Sequence, residues 1–245
     1  MAKKMSLSPL AASVKQDIQA FLSGLTRPFT CEADFQHELV NYLRNTSNYQ
    51  KIHLEYLVPY VTIAGITSNA RVDIVVEHNG EFVPIELKFK TKSLSAPKTP
   101  YSCFGFPTNL PLIKDMAAQN DNRYAVWKDV KRIEWIKSCC SYSNQHGQVW
   151  INGGKEFSED TEAVSNTRPV LNGFVVFISN DPAYQNPAKG YSTANCSHSK
   201  PIEYHSRKPA LGISGGYDID WRPIPGITIG GTQPFPPFAY IIIEV

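Results

Sequence analysis

The stretch RVDIVVEHNGEFVPIELKFK, residues 71–90, sets Asp73, Glu86 and Lys88 inside otherwise apolar runs. Asn79-Gly80 between the runs is a strong hairpin signal, because a type I′ turn needs positive φ at both central residues. With these two as the loop, His78 faces Glu81 and every facing pair of residue numbers sums to 159. Asp73 then faces Glu86, with Cβ atoms about 5 Å apart. The pleat returns Lys88 to the same side, opposite Arg71, while Val72, Ile74, Val76, Ile85, Leu87 and Phe89 fall on the other side and can bury. Two carboxylates so close repel, and a shared proton or a divalent cation relieves the repulsion. Magnesium takes oxygen ligands and is often held by one or two carboxylates, waters and a substrate phosphate. A lysine beside it orients or helps deprotonate the attacking water, and these parts suit phosphodiester hydrolysis. The plainer reading of the same residues is a solvent-facing hairpin side with a cross-strand acid pair.

The elements around the hairpin must hold it in place. Residues 11–25 carry Val14, Ile18, Phe21 and Leu25 at helical spacing, closed by Gly24 and Pro28. A second helix follows Thr30 as N-cap, with Glu32 and Asp34 in its first turn, where the helix dipole favours acids. Phe35, Leu39, Tyr42 and Leu43 form its buried stripe, and Glu38 edges that stripe. Residues 52–61 alternate as a strand, residues 91–113 read as a loop, and 123–139 return to a helical period. Residues 141–169 read as polar and irregular, and 173–179, GFVVFIS, as a central strand. Residues 180–237 read as long loops with short strands, and FAYIIIEV as a terminal strand. The expected fold is α/β, a mixed central sheet flanked by helices, in one domain of three parts: 1–29, 30–180 and a loop-rich 181–245.

With Glu38 on the first core helix, Asp73 on the second strand and Glu86-Leu87-Lys88 on the third, the chain resembles the PD-(D/E)xK, or restriction-endonuclease-like, nuclease superfamily. The resemblance covers roughly residues 30–180, and Val72 stands where the family's nominal Pro would be. It implies a Mg²⁺-dependent endodeoxyribonuclease, with Mn²⁺ substituting. Asp73, Glu86 and the Leu87 backbone carbonyl would hold the metal. Lys88 would position water or stabilise developing charge, and Glu38 would assist. Glu32 and Asp34 remain alternatives for the helix acid. A restriction or phage-defence enzyme fits this pattern. A non-catalytic nucleic-acid-binding or scaffold module keeping the fold is the alternative.

Charge supports a polyanionic partner. The net charge is only +2, yet residues 86–137 hold ten Lys/Arg against five Asp/Glu. Lys90, Lys92, Arg123, Lys128 and Arg132 are candidate phosphate contacts, which position DNA without reading it. Asp129 with Arg132, and Lys131 with Glu134, would also pair simply as i,i+3 neighbours. RNA stays open as a substrate, and a homodimer would suit cutting both strands of a duplex. No apolar run approaches a membrane span of roughly 20 residues. The first residues lack a signal-peptide core, and five unpatterned cysteines fit a reducing cytoplasm. Cys196, His198 and His205, or Cys139, Cys140 and His146, do not supply four paired zinc ligands. No nucleophile–base arrangement or phosphate-loop motif is present.

Overall fold

A computed structural model of the chain describes residues 6–46, 49–61, 67–95, 111–116, 118–137, 141–144, 149–151, 161–163, 170–185, 211, 213, 216–217, 219–228, 234 and 236–245. The cysteine–histidine groups considered above lie outside these residues. So do residues 96–110 and 186–210, which the sequence assigns to loops.

Helix α1 spans Pro9–Ser23 and α2 spans Glu32–Thr46. Strands β1 (Lys51–Val61), β2 (Thr67–His78) and β3 (Glu81–Lys90) follow. Two short strands, β4 (Leu94–Ser95) and β5 (Pro111–Ile113), precede helix α3 (Gln119–Lys137). Strands β6 (Ser141–Asn144), β7 (Val149–Ile151) and β8 (Thr161–Ala163) form a small separate sheet. Then come β9 (Phe174–Ser179), the short helix α4 (Pro182–Gln185), β10 (Arg222–Pro223) and β11 (Ala239–Glu244). The short strands between 94 and 163 fall where the sequence shows only loop-like composition. Strands of two to four residues are too short to display a period of two.

The main sheet has six strands in the order β1-β2-β3-β9-β11-β10. It is mixed, because β3 and β9 run parallel while the other neighbours are antiparallel. Helices cover both faces, which explains why the central strands are apolar on both sides. On one face α1 and α2 pack Val14, Ile18, Phe35, Leu39 and Leu43 onto Ile74, Ile85, Leu87 and Val176. On the other, α3 lays Val126, Trp127, Val130 and Ile133 against Val175, Phe177, Ile241 and Ile243. Successive residues of β9 thus serve opposite cores, as the two-residue pleat requires. Among the described residues no helix is long and apolar enough to cross a membrane.

The hairpin register is the one its turn dictates. Asn79 and Gly80 have φ of 49° and 82°, and the ladder pairs His78 with Glu81, Val76 with Val83 and Ile74 with Ile85. Val72 departs from the expected alternation. It joins Val75, Phe82 and Ile136 on the α3 side, so the strand changes face at Asp73. Opposite Asp73 on β1, Glu55 sits at φ 49° and interrupts the β1–β2 pairing between Leu54–Ile74 and Tyr56–Val72. At the start of α2, Thr30 is not the cap. Cys31 Sγ takes the Asp34 N–H, and Thr30 instead donates its N–H and hydroxyl to Asp34.

Gly173 brings β9 under α3. A Cβ there would lie 2.6 Å from Ile133 Cγ2 and 2.9 Å from Pro84 Cγ. Gly173→Ala is therefore expected to cost about 1–3 kcal/mol through overpacking, read as a lower midpoint in urea denaturation.

Candidate active site

The antiparallel ladder alternates hydrogen-bonded and non-hydrogen-bonded pairs. Continued past Ile74–Ile85, it makes Asp73 and Glu86 a close, non-bonded pair and sends the Leu87 N–H to Val72. The Leu87 N–H goes instead to Asp73 Oδ2, at 2.6 Å. The aspartate side chain takes over a ladder bond at the point where β2 and β3 part. The Leu87 carbonyl accepts from Lys88 Nζ at 3.0 Å, so it faces the charged cluster.

Six charged side chains meet here. Glu86 is 1% exposed, on a strand flanked by β2 and β9, and its Oε1 accepts from Arg132 Nη1 at 2.5 Å. Arg132 Nη1 also lies 3.4 Å from Asp129 Oδ1, one turn back on α3. The other Asp129 oxygen is 2.9 Å from Lys88 Nζ, an ion pair within a buried setting. Lys88 Nζ is 4.0 Å from Glu32 Oε1, while Glu32 Oε2 accepts the Phe89 N–H at 3.0 Å. Gln36, one turn after Glu32, donates to the Asp73 carbonyl at 2.8 Å and to Glu55 at 3.0 Å, tying α2 to both strands.

Four acids against two bases leave the cluster acidic, and the titration behaviour reflects it. Burial pushes the Asp73 carboxyl up to about 6, with Asp129 and Glu32 adding to the rise and the Leu87 N–H and Lys88 opposing it. Burial also raises Glu86 well above the usual carboxylate range. Asp129 and Asp73 reinforce that shift, and Arg132 only partly offsets it. Burial disfavours the Lys88 ammonium, but Asp129, Glu32 and Glu86 outweigh this and its pKa rises. Lys88 is thus held as a cation between Asp129 and Glu32.

The structure brings together Asp73, Glu86, the Leu87 carbonyl and Lys88. It does not bring Glu38 to them. The Glu38 side chain is 47% exposed and pairs with Arg27 at 2.9 Å, and the α2 acid that meets the cluster is Glu32, through Lys88 and Phe89 N. Asp34 is bonded to Arg27 and Thr30. Of the expected phosphate contacts, Arg123 is buried and donates to the Ala183 carbonyl at 3.1 Å, which makes it a packing residue. Arg132 turns inward to the acids. Lys92 lies 3.3 Å from Asp115, Lys90 is half-buried and Lys128 is exposed. Asp129, whose spacing on α3 points only to an i,i+3 pair with Arg132, also joins the cluster through Lys88.

A divalent cation fits the donor chemistry in part. Among the described residues no group of three or more His, Cys, Asp or Glu side chains stands ready to hold a metal. Magnesium, however, needs only one or two carboxylates with waters. Asp73 and Glu86 each commit one oxygen, to Leu87 N and to Arg132, and each keeps the other outside those bonds. The Leu87 carbonyl, which accepts from Lys88 Nζ, is a third oxygen in the cluster.

A carboxyl whose pKa is raised on folding binds protons more readily when folded. Stability from Asp73 therefore falls as pH climbs from about 4 through about 6. Asp73→Asn keeps an acceptor for Leu87 N and removes the buried charge. It is expected to stabilise the metal-free protein by about 1–3 kcal/mol at pH 7, a gain that shrinks towards zero near pH 4, measured by urea denaturation at both pH values.

Comparison of the chain with protein-family models, with curated proteins and with solved structures finds no match.

Proposed function

We propose that this protein is a Mg²⁺-dependent nuclease that hydrolyses DNA phosphodiester bonds, in the manner of the PD-(D/E)xK superfamily that its site residues resemble. The observation that carries this reading is the meeting of Asp73, Glu86 and Lys88 where β2 and β3 part, with the Leu87 carbonyl turned to the same side. Bound Mg²⁺, or Mn²⁺ in its place, supplies charge neutralisation at phosphorus and a stronger nucleophile from water. Asp73, Glu86 and the Leu87 carbonyl would hold it. Lys88, kept protonated by Asp129 and Glu32, offers its charge to the phosphoryl oxygen as negative charge develops there. Glu32 anchors the strand through Phe89 N and steers the Lys88 ammonium. Lys90 and Lys128 remain available for the nucleic-acid backbone, and RNA is an alternative substrate. A restriction or phage-defence role, a cytoplasmic setting and action as a homodimer belong to the same proposal.

One observation favours the rival reading of a non-catalytic nucleic-acid-binding module: Glu86 is already paired with Arg132. Incubation of the protein with plasmid and single-stranded DNA in Mg²⁺, Mn²⁺ or EDTA separates the two. Cleavage in either metal and none in EDTA is expected; DNA binding without metal-dependent cleavage favours the module. Lys88→Ala is expected to lower the cleavage rate by at least about 10²-fold, with the fold retained by circular dichroism. Glu32→Gln is expected to lower it as well. Glu38→Gln, on the exposed face of α2, is expected to cleave like wild type, and a large loss there would return the helix-acid role to Glu38.

A further inference from the structure

The Glu86–Arg132 pair carries a consequence for how the site is loaded, one that rests on the metal reading above. We infer that Arg132 is a built-in counter-ion that competes with the divalent cation for Glu86, so that the guanidinium must leave before the cation binds.

Glu86 cannot do the moving. It lies on β3 between β2 and β9 and is 1% exposed. Arg132 can, because it sits on α3 with 18% of its side chain open to solvent. It also has a second partner within reach, since the same Nη1 lies 3.4 Å from Asp129 Oδ1. A guanidinium released from Glu86 therefore stays near an acid rather than becoming an isolated buried charge, which would be costly. A guanidinium and a divalent cation cannot both hold the Glu86 carboxylate at short range without strong like-charge repulsion. Asp129 serves both states: it pairs Lys88 on one oxygen and receives Arg132 on the other. Once displaced, the planar fork of Arg132 suits a phosphate oxygen pair, at the edge of the site where a nucleic-acid backbone would arrive. Cation binding thereby converts a buried counter-ion into a phosphate grip.

Mn²⁺ titration calorimetry on the whole chain, without nucleic acid, tests this independently of activity. Wild type, Arg132→Gln, Arg132→Lys and Asp73→Ala are compared, with folding checked by circular dichroism. Apparent affinity falls in proportion to the fraction of protein that is binding-competent. Arg132→Gln is therefore expected to bind Mn²⁺ about tenfold or more tightly than wild type, and Arg132→Lys by a smaller factor. Asp73→Ala is expected to lose the site. Should Arg132→Gln fail to fold, Arg132→Lys decides: tighter binding supports the inference, and equal or weaker binding overturns it. Equal or weaker binding in a folded Arg132→Gln, with Asp73-dependent binding intact in wild type, overturns the counter-ion role and leaves the metal reading standing. No Mn²⁺ bound by wild type or by either arginine variant overturns both.

Discussion

The arrangement turns on the burial of one carboxylate. Glu86 occupies a strand flanked on both edges, under a helix, with 1% of its surface exposed. An unpaired charge in such a place costs several kcal/mol, so the elements around it are set to answer it. Helix α3 brings Arg132 to its oxygen and, one turn earlier, Asp129 to Lys88. Helix α2 brings Glu32 to the far side of Lys88. Strand β2 leaves the ladder so that Asp73 can take the Leu87 N–H. Each of these contacts is local, yet together they require α2, α3 and the hairpin to converge on the carboxyl end of β3. This is where ligands bind in sheets with parallel strands.

The same burial explains why the site is poised. Burial raises the pKa of both Asp73 and Glu86, and in the metal-free protein the Arg132 guanidinium beside Glu86 opposes that rise. The lysine is different. Flanked by Asp129 and Glu32, it is locked in its charged form. In the proposed reaction that suits it to charge stabilisation and orientation rather than proton abstraction.

The hairpin was the legible part of the sequence. A two-residue loop and a period of two fix which residues face each other, and the observed pairs keep the sum of 159. The broken alternation at Val72 is not legible, because no local signal marks the interruption of both ladders around Asp73. The α2 acid that meets Lys88 is legible by a finer argument than stripe adjacency. With each residue turning about 100°, Glu32 lies within about 20° of the centre of the Phe35, Leu39, Leu43 stripe, whereas Glu38 lies about 100° away. First-turn acids suggest dipole roles, and that local rule obscured a tertiary one. Arg123 shows the same lesson: it precedes Val126 by three residues and Val130 by seven, which places it on the buried side of α3. Asp129, four residues before Ile133, flanks that stripe as well. What no local pattern announces is the parallel pairing of β3 with β9, which lies across more than eighty residues and sets Lys88 beside Phe177.

If Asp73, Glu86 and the Leu87 carbonyl form one cation site, anomalous diffraction from a crystal soaked in Mn²⁺ will show it. The expected peak lies about 2 Å from oxygens of all three groups, with Arg132 withdrawn from Glu86. A peak elsewhere, or no peak in a crystal whose Asp73 and Glu86 remain ordered, would rule the site out.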